Sequence, residues 1–126
     1  MQLTLIVQPE QVAVCRFSAD ATMPTWIGTG FSSVTRTSDE LSIVCTDDER
    51  IPDSVRCERG WRLLRVAGTQ AFTLTGVLSS VVGPLANDRI SIFAISTFYT
   101  DYVMVKEADF ARAVESLKSA GHEVRG

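Results

Sequence analysis

Residues Ser96 to Asp101 gather a serine, two threonines, an aromatic ring and a carboxylate in one short turn between two apolar runs. A bare hairpin needs none of these groups, and no turn glycine is present to make it tight. A carboxylate at Asp101 can pair with a cation, and the Thr97 hydroxyl can add a hydrogen bond. Phe98 can wall off an aliphatic stem. Upstream, Thr75-Gly76-Val77 opens a helix-like stretch. A helix start offers unpaired backbone N–H groups and a positive dipole end, both suited to an anion. Gly76 would let a ligand approach the backbone closely. The Ser96–Asp101 turn reads as built to hold something small, polar and cationic.

Strands and helices must carry these residues. Leu3 to Val7 and Val12 to Phe17 read as strands broken by Pro9, and Met23 to Gly30 as an irregular connection. Phe31 to Thr37 and Glu40 to Thr46 alternate apolar and polar residues around Ser38-Asp39, a hairpin signal. Asp47 to Gly60 is polar, contains Pro52 and reads as loop or a short helical turn. Trp61 to Ala67 is a strand, with Trp61 and Leu63 on one face and Leu64 and Val66 on the other. Gly76 to Ala86 places Leu78, Val81, Val82 and Leu85 on a helical stripe, with Pro84 expected to kink or end it. Ile90 to Ser96 and Tyr102 to Val105 are strands. Glu107 to Ala120 has Phe110, Ala113, Val114 and Leu117 on one helical face, Gly121 is placed as its C-cap, and His122 to Arg125 is a last strand.

The order from Trp61 onward is β-α-β-β-α-β, which predicts a four-stranded antiparallel ferredoxin-like sheet with two helices on one face. The first half reads as a degraded copy. A shift of 61 residues lays Glu40-Leu41-Ser42-Ile43-Val44 on Asp101-Tyr102-Val103-Met104-Val105, and Thr35 to Asp39 on Ser96 to Thr100. The expected fold class is α+β, with tandem ferredoxin-like subdomains, the first (1–60) reduced in helices and the second (61–126) complete.

Bulk composition narrows the function. The chain has 126 residues, is 45% hydrophobic and carries a net charge of -3, which suits one compact unit or two small ones sharing a core. The acidic balance argues against nucleic acid as a partner. No basic start or long apolar core marks a signal peptide, and no run approaches the roughly 20 residues of a membrane span. A soluble cytoplasmic protein is expected, with no membrane partner. Cys15, Cys45 and Cys57 are an odd number with no zinc spacing, so neither a disulfide framework nor a metal site is expected.

The run Ile90-Ser91-Ile92-Phe93-Ala94-Ile95-Ser96-Thr97-Phe98, with Thr100-Asp101-Tyr102 and Val105-Lys106-Glu107, resembles ACT-domain proteins related to the cytosolic arginine sensor of the animal TOR pathway. The likeness extends to Glu40-Leu41-Ser42-Ile43-Val44-Cys45, Gly60-Trp61-Arg62 and Val66-Ala67-Gly68, and covers about Val12 to Val124. It implies a half-length, bacterial-type relative with tandem ACT subdomains at 1–60 and 61–126. It also implies regulation rather than catalysis, with no cofactor, a homodimer, and an amino acid bound at the seam between subunits. Carried over by position, the ligand-facing residues are Ala71, Thr73, Val77, Thr97, Phe98 and Asp101, with Ser91 and Ile92 arriving from the facing subunit. Thr75 and Gly76 join them through the helix start. Relatives of the arginine sensor carry an aspartate where Thr73 stands. Its loss removes a partner for a guanidinium, so a neutral or smaller amino acid fits at least as well as arginine. Any regulatory output requires a separate protein partner, because no effector domain is fused to the chain.

Plainer readings stand beside these. Asp101 can cap its own turn, Thr97 can be a strand-end residue, and Gly76 can start a helix without a ligand. His122 reads as an exposed strand-start residue. Cys57 lies between Arg56, Glu58 and Arg59 but lacks a histidine partner. Trp26 and Trp61 read as core or interface anchors. Asp47-Asp48-Glu49 reads as a solvated face rather than a cation loop. A structural dimerisation module with an empty seam, and a small enzyme on the same fold, remain the other two functional classes.

Overall fold

A computed structural model describes residues 1–68 and 75–126. The described residues form two compact units, Glu10–Trp61 and Met1–Pro9 with Arg62–Gly126. The first nine residues therefore group with the second half of the chain.

The strands are β1 (Thr4–Phe17), β2 (Ser33–Arg36), β3 (Leu41–Thr46), β4 (Arg56–Val66), β5 (Ile92–Ser96), β6 (Asp101–Lys106) and β7 (Glu123–Arg125). The helices are α1 (Val77–Asn87) and α2 (Phe110–Ser119), the latter entered through a 3-10 turn at Glu107–Asp109. The long strands β1 and β4 supply residues to both units. The expected break at Pro9 is absent. Pro9 is exposed and falls between Thr4–Ile6, which pair with β7, and Val12–Phe17, which pair with β3. Its missing N–H is thus not needed by either ladder. The polar stretch read as loop also hides the start of β4, which begins at Arg56.

In the unit Glu10–Trp61 the strands lie in the order β2-β3-β1-β4. By position in the chain this is 2-3-1-4, the ferredoxin-like order. The described residues there include no helix. Loops stand where helices would, and Trp26, Ile27 and Ala21 pack on a core of Ala13, Cys15, Leu41, Ile43, Cys45 and Ile51. Glycine permits that approach. A Cβ on Gly30 would lie 2.4 Å from the Thr46 hydroxyl, and the Phe31 N–H beside it donates to Glu10 at 3.2 Å.

The other unit runs β5-β6-β4-β1, with β7 paired to β1 in parallel. This corrects the expected all-antiparallel arrangement of four strands. The N-terminal segment occupies the place beside β4, where the Ala67 N–H donates to the Thr4 carbonyl at 2.8 Å. Leu3, Leu5 and Val7 alternate along it and join the core under the helices, so hydrophobic burial holds it there. Val77, Val81 and Leu85 of α1 and Ala113 and Leu117 of α2 bury against Leu64, Val66, Val103 and Val105. Each fully buried Val or Leu contributes about 1.5–3 kcal/mol of transfer free energy.

Pro84 neither ends nor truncates α1, which continues to Asn87. A proline removes the N–H that would bond the carbonyl four residues earlier, here Ser80. His122 fills that vacancy. Its Nε2 lies 2.8 Å from the Ser80 carbonyl, and its Nδ1 accepts from the Leu3 N–H at 3.0 Å. Accepting at Nδ1 leaves the proton on Nε2 to donate. The ring is only 5% exposed, which corrects the expectation of an exposed residue. Gly121 closes α2 as expected, at φ 96°, with the His122 N–H returning to the Leu117 carbonyl at 3.0 Å.

Candidate functional site

The hairpin β5–β6 pairs Ser96 with Asp101 and leaves Thr97 to Thr100 as its turn. Thr97 closes that turn twice. Its N–H donates to the Thr100 carbonyl at 2.9 Å, and its hydroxyl donates to the same carbonyl at 3.0 Å. The Thr100 N–H returns to the Thr97 hydroxyl at 3.3 Å. Thr97 therefore spends its hydroxyl proton on the turn. Thr100, which the sequence reading did not single out, is buried and donates to the Val66 carbonyl at 2.8 Å. That bond fixes the turn against the end of β4.

Asp101 does not cap its own turn. It accepts from the Ser96 hydroxyl across the strand pair at 2.5 Å through Oδ1. One hydroxyl thus orients the carboxylate and leaves Oδ2 for another partner. Ser96 was missed as its positioning residue; the cross-strand position opposite Asp101 was the available signal. Phe98 and Tyr99 point away from the core, 69% and 63% exposed, with rings 5.1 Å apart in a T-shaped pair. Tyr99 is a further residue that sequence reasoning passed over.

The chain leaves β4 at Val66, and α1 begins at Val77, so α1's N-terminal approach departs from the strand end that Thr100 grips. Gly76 caps α1 in the left-handed conformation (φ 83°), with no side-chain cap. Thr75 and Gly76 are exposed, and a Cβ on Gly76 would meet nothing within 4 Å. The glycine is required by its backbone angle rather than by crowding. Val77 is buried in the core, so only its backbone faces the helix start. Ala71 and Thr73 lie outside the described residues. Ile92 opens β5 and Ser91 precedes it, roughly 14 and 17 Å along the chain direction from Ser96 at the other end. One chain does not bring them to the turn.

The β2–β3 hairpin repeats this closure. The Thr37 N–H donates to the Glu40 carbonyl at 2.9 Å, and the Thr37 hydroxyl accepts from the Asp39 and Glu40 N–H groups at 3.1 and 3.2 Å. Arg36 pairs with Leu41 as Ser96 pairs with Asp101. Thr37 thus matches Thr97, a shift of 60 that corrects the 61 read from sequence. The counterpart of Asp101 is the buried Leu41, not Glu40.

The acidic run 47–49 proves to be a paired loop. Asp47 holds Arg59 at 2.7 Å and accepts from the Gly60 N–H at 2.8 Å, while Asp48 holds Arg50 at 2.7 Å. Those hydrogen bonds keep the Asp48 carboxyl below the ordinary range. Among the described residues no group of three or more His, Cys, Asp or Glu is placed to hold a metal ion. No helix among them is long and apolar enough to cross a membrane.

Residues 56–119 match a family model for the ACT domain, and residues 10–54 match a separate model for an N-terminal domain. A protein of Agrobacterium tumefaciens of known crystal structure shares 39% identity and superposes with a TM-score of 0.92, covering 98% of this chain and 92% of that one. The human protein named cytosolic arginine sensor for mTORC1 subunit 1 is 29% identical over 97 residues, which is 69% of this chain. The chain spans 30% of the length of that curated relative. The fold also matches aspartate kinase of Clostridium acetobutylicum, at 17% identity and a TM-score of 0.67, over 89% of this chain and 33% of the enzyme.

Proposed function

The chain belongs to the ACT-domain family, and from that premise we propose that it is a regulatory, non-catalytic protein that binds a free amino acid at a seam between two copies of itself. Two separate features support this reading: a helix start at Gly76 with no side-chain cap, and a carboxylate at Asp101 held by the Ser96 hydroxyl through one oxygen. A free amino acid has a carboxylate for the first and an ammonium or cationic side chain for the second. The exposed Phe98 supplies an apolar wall. Thr97 contributes as the residue that shapes the turn. Thr75, Gly76 and Val77 offer backbone, and Ala71 and Thr73 lie on the approach to them in sequence. Ser91 and Ile92 complete the site from the second copy, which is why one chain leaves them far from Asp101. The name of the mTORC1 arginine sensor supports amino-acid sensing as the general role. Ligand binding would shift the population of dimer geometries, which a separate protein partner would read.

The test is thermal unfolding of the intact protein against each common amino acid, with oligomeric state followed by sedimentation. A ligand at 100 times its dissociation constant adds about 2.7 kcal/mol of stability. One responding amino acid, with the response lost in Asp101→Ala while the fold is kept, is the expected result. Unchanged affinity in Asp101→Ala removes the site assignment. No response to any amino acid, together with a stable dimer, favours a structural dimerisation module.

A further inference from the structure

Arg89 follows α1 in a conformation that suits glycine. It is exposed, with φ 59°. Its N–H donates to the Ala86 carbonyl at 3.0 Å, and the Ile90 N–H returns to the Leu85 carbonyl at 2.9 Å. Glycine would make that turn at no steric cost. Among the described residues the Arg89 guanidinium forms no ion pair or hydrogen bond. The turn thus carries a side chain that the turn itself does not need.

Three residues on, β5 ends the sheet, and β6 is its strand partner among the described residues. Ile92-Phe93-Ala94-Ile95-Ser96 has no charge and no proline to keep another strand away. Beyond its far end stand the exposed rings of Phe98 and Tyr99. The strand is complementary to itself. Two copies laid antiparallel overlap over all of β5 only when Ala94 faces Ala94. That register puts a small side chain on the two-fold axis and sets Phe93 against Ile95 twice. It also brings Ile92 opposite Ser96 and Ser91 opposite Thr97. A slip of one residue would set side chains of opposite faces against each other. Continued past the strand ends, the register lays Arg89 of one copy beside Tyr99 of the other.

We propose that Arg89 of each copy rests on the Phe98–Tyr99 rings of the other, across a seam in which the two β5 strands pair antiparallel about Ala94. The contact depends on the seam of the proposed function and adds to it a positioning residue from the second copy. Neighbouring strands lie about 4.8 Å apart, within reach of an arginine side chain. A guanidinium over a ring face is attracted by the ring's charge distribution, and its flat shape stacks there. Held in this way, the aromatic tip stays beside Asp101, whose carboxylate is left to the ligand.

The direct test mixes Arg89→Cys and Tyr99→Cys proteins, both carrying Cys57→Ser, oxidises them and maps the bonds by peptide mass. Within one chain the two positions lie beyond opposite ends of β5, so a bond between them joins two copies. That bond is the expected product. Sedimentation supplies the second test. Arg89→Gly should weaken the dimer roughly tenfold, the scale of a cation–π contact. The same variant suits the left-handed backbone and should not lower the urea midpoint of the monomer. A purely structural arginine would move the two readings together, and that result overturns the proposal. The losses from Arg89→Gly and Tyr99→Ala should fall short of additive in the double variant, and additive losses overturn the contact. A dimer that forms without the 89–99 bond also overturns the contact but leaves the amino-acid seam standing. A chain that stays monomeric overturns the seam and the contact with it. Asp101→Ala should lose the thermal response to the amino acid while keeping both the dimer and the cross-link, which separates the two assignments.

Discussion

The hairpins at Thr37–Glu40 and Thr97–Thr100 share a first threonine and a closing hydrogen bond of 2.9 Å, yet they present opposite surfaces. The first carries Ser38 and Asp39 at its tip, and the second carries Phe98 and Tyr99. Threonine in the first position closes the turn in both cases, because its hydroxyl can receive the backbone N–H groups that the turn exposes. The aromatic tip is therefore not needed to make the turn. The same contrast holds one step inward, where Leu41 buries in a core and Asp101 faces a hydroxyl. It holds again in the backing, which is loop in the unit Glu10–Trp61 and helix in the other. A shared frame with unequal surfaces shows which features serve the fold and which the fold does not require.

The backing gives the strongest way to break this comparison. His122→Ala should cost about 2–4 kcal/mol, because it removes a buried ring and leaves the partly buried Ser80 carbonyl and Leu3 N–H without their partner. No counterpart bond exists among the described residues of the helix-free unit. Urea unfolding measures the loss, and a cost near zero would mean the helix-backed unit does not depend on its histidine. The turns give a smaller and more exact test. Thr37→Val and Thr97→Val should each cost about 1 kcal/mol, the net worth of a side-chain hydrogen bond in each turn. Unequal losses in chemical denaturation would show that the two closures are alike in geometry only. The smallest stability effect belongs to the tip. Replacing Phe98 by Ser and Tyr99 by Asp transplants the polar pair onto the second hairpin, and should change stability by less than about 0.5 kcal/mol because both rings are exposed. The thermal response to the amino-acid ligand should vanish in the same variant. A large loss of stability would instead make the rings structural.

Much of this frame was legible in the residues. Alternation marked the strands, the 3.6-residue stripe marked both helices, and Gly121 marked the end of α2. The helix-poor first half was visible too, since Pro24, two glycines and no apolar stripe separate Phe17 from Phe31. What stayed hidden depended on partners far along the chain. Thr4–Ile6 and Glu123–Arg125 pair in parallel across nearly the whole sequence, and local pattern does not report such pairing. Pro9 looked like a break because its neighbours, not its own chemistry, decide whether its N–H is missed. The polar start of β4 lacks a buried face to betray it. At the candidate site, Asp101 and the exposed Phe98 could be picked out by residue type. Ser96 and Thr100 could not, because their roles follow from the register of the hairpin and from the Val66 carbonyl.

The vacancy that Pro84 opens in α1 also bears on the order in which this unit assembles. The donor that fills it lies 42 residues further along the chain. While the C-terminal strand is undocked, α1 can wind its turns but keeps one carbonyl wet in the middle of its length. Consolidation of that helix and arrival of the chain end are then a single late event. Fraying around His122 would be felt in the first turns of α1, so the segment 122–126 acts as a latch on the helix that follows Gly76.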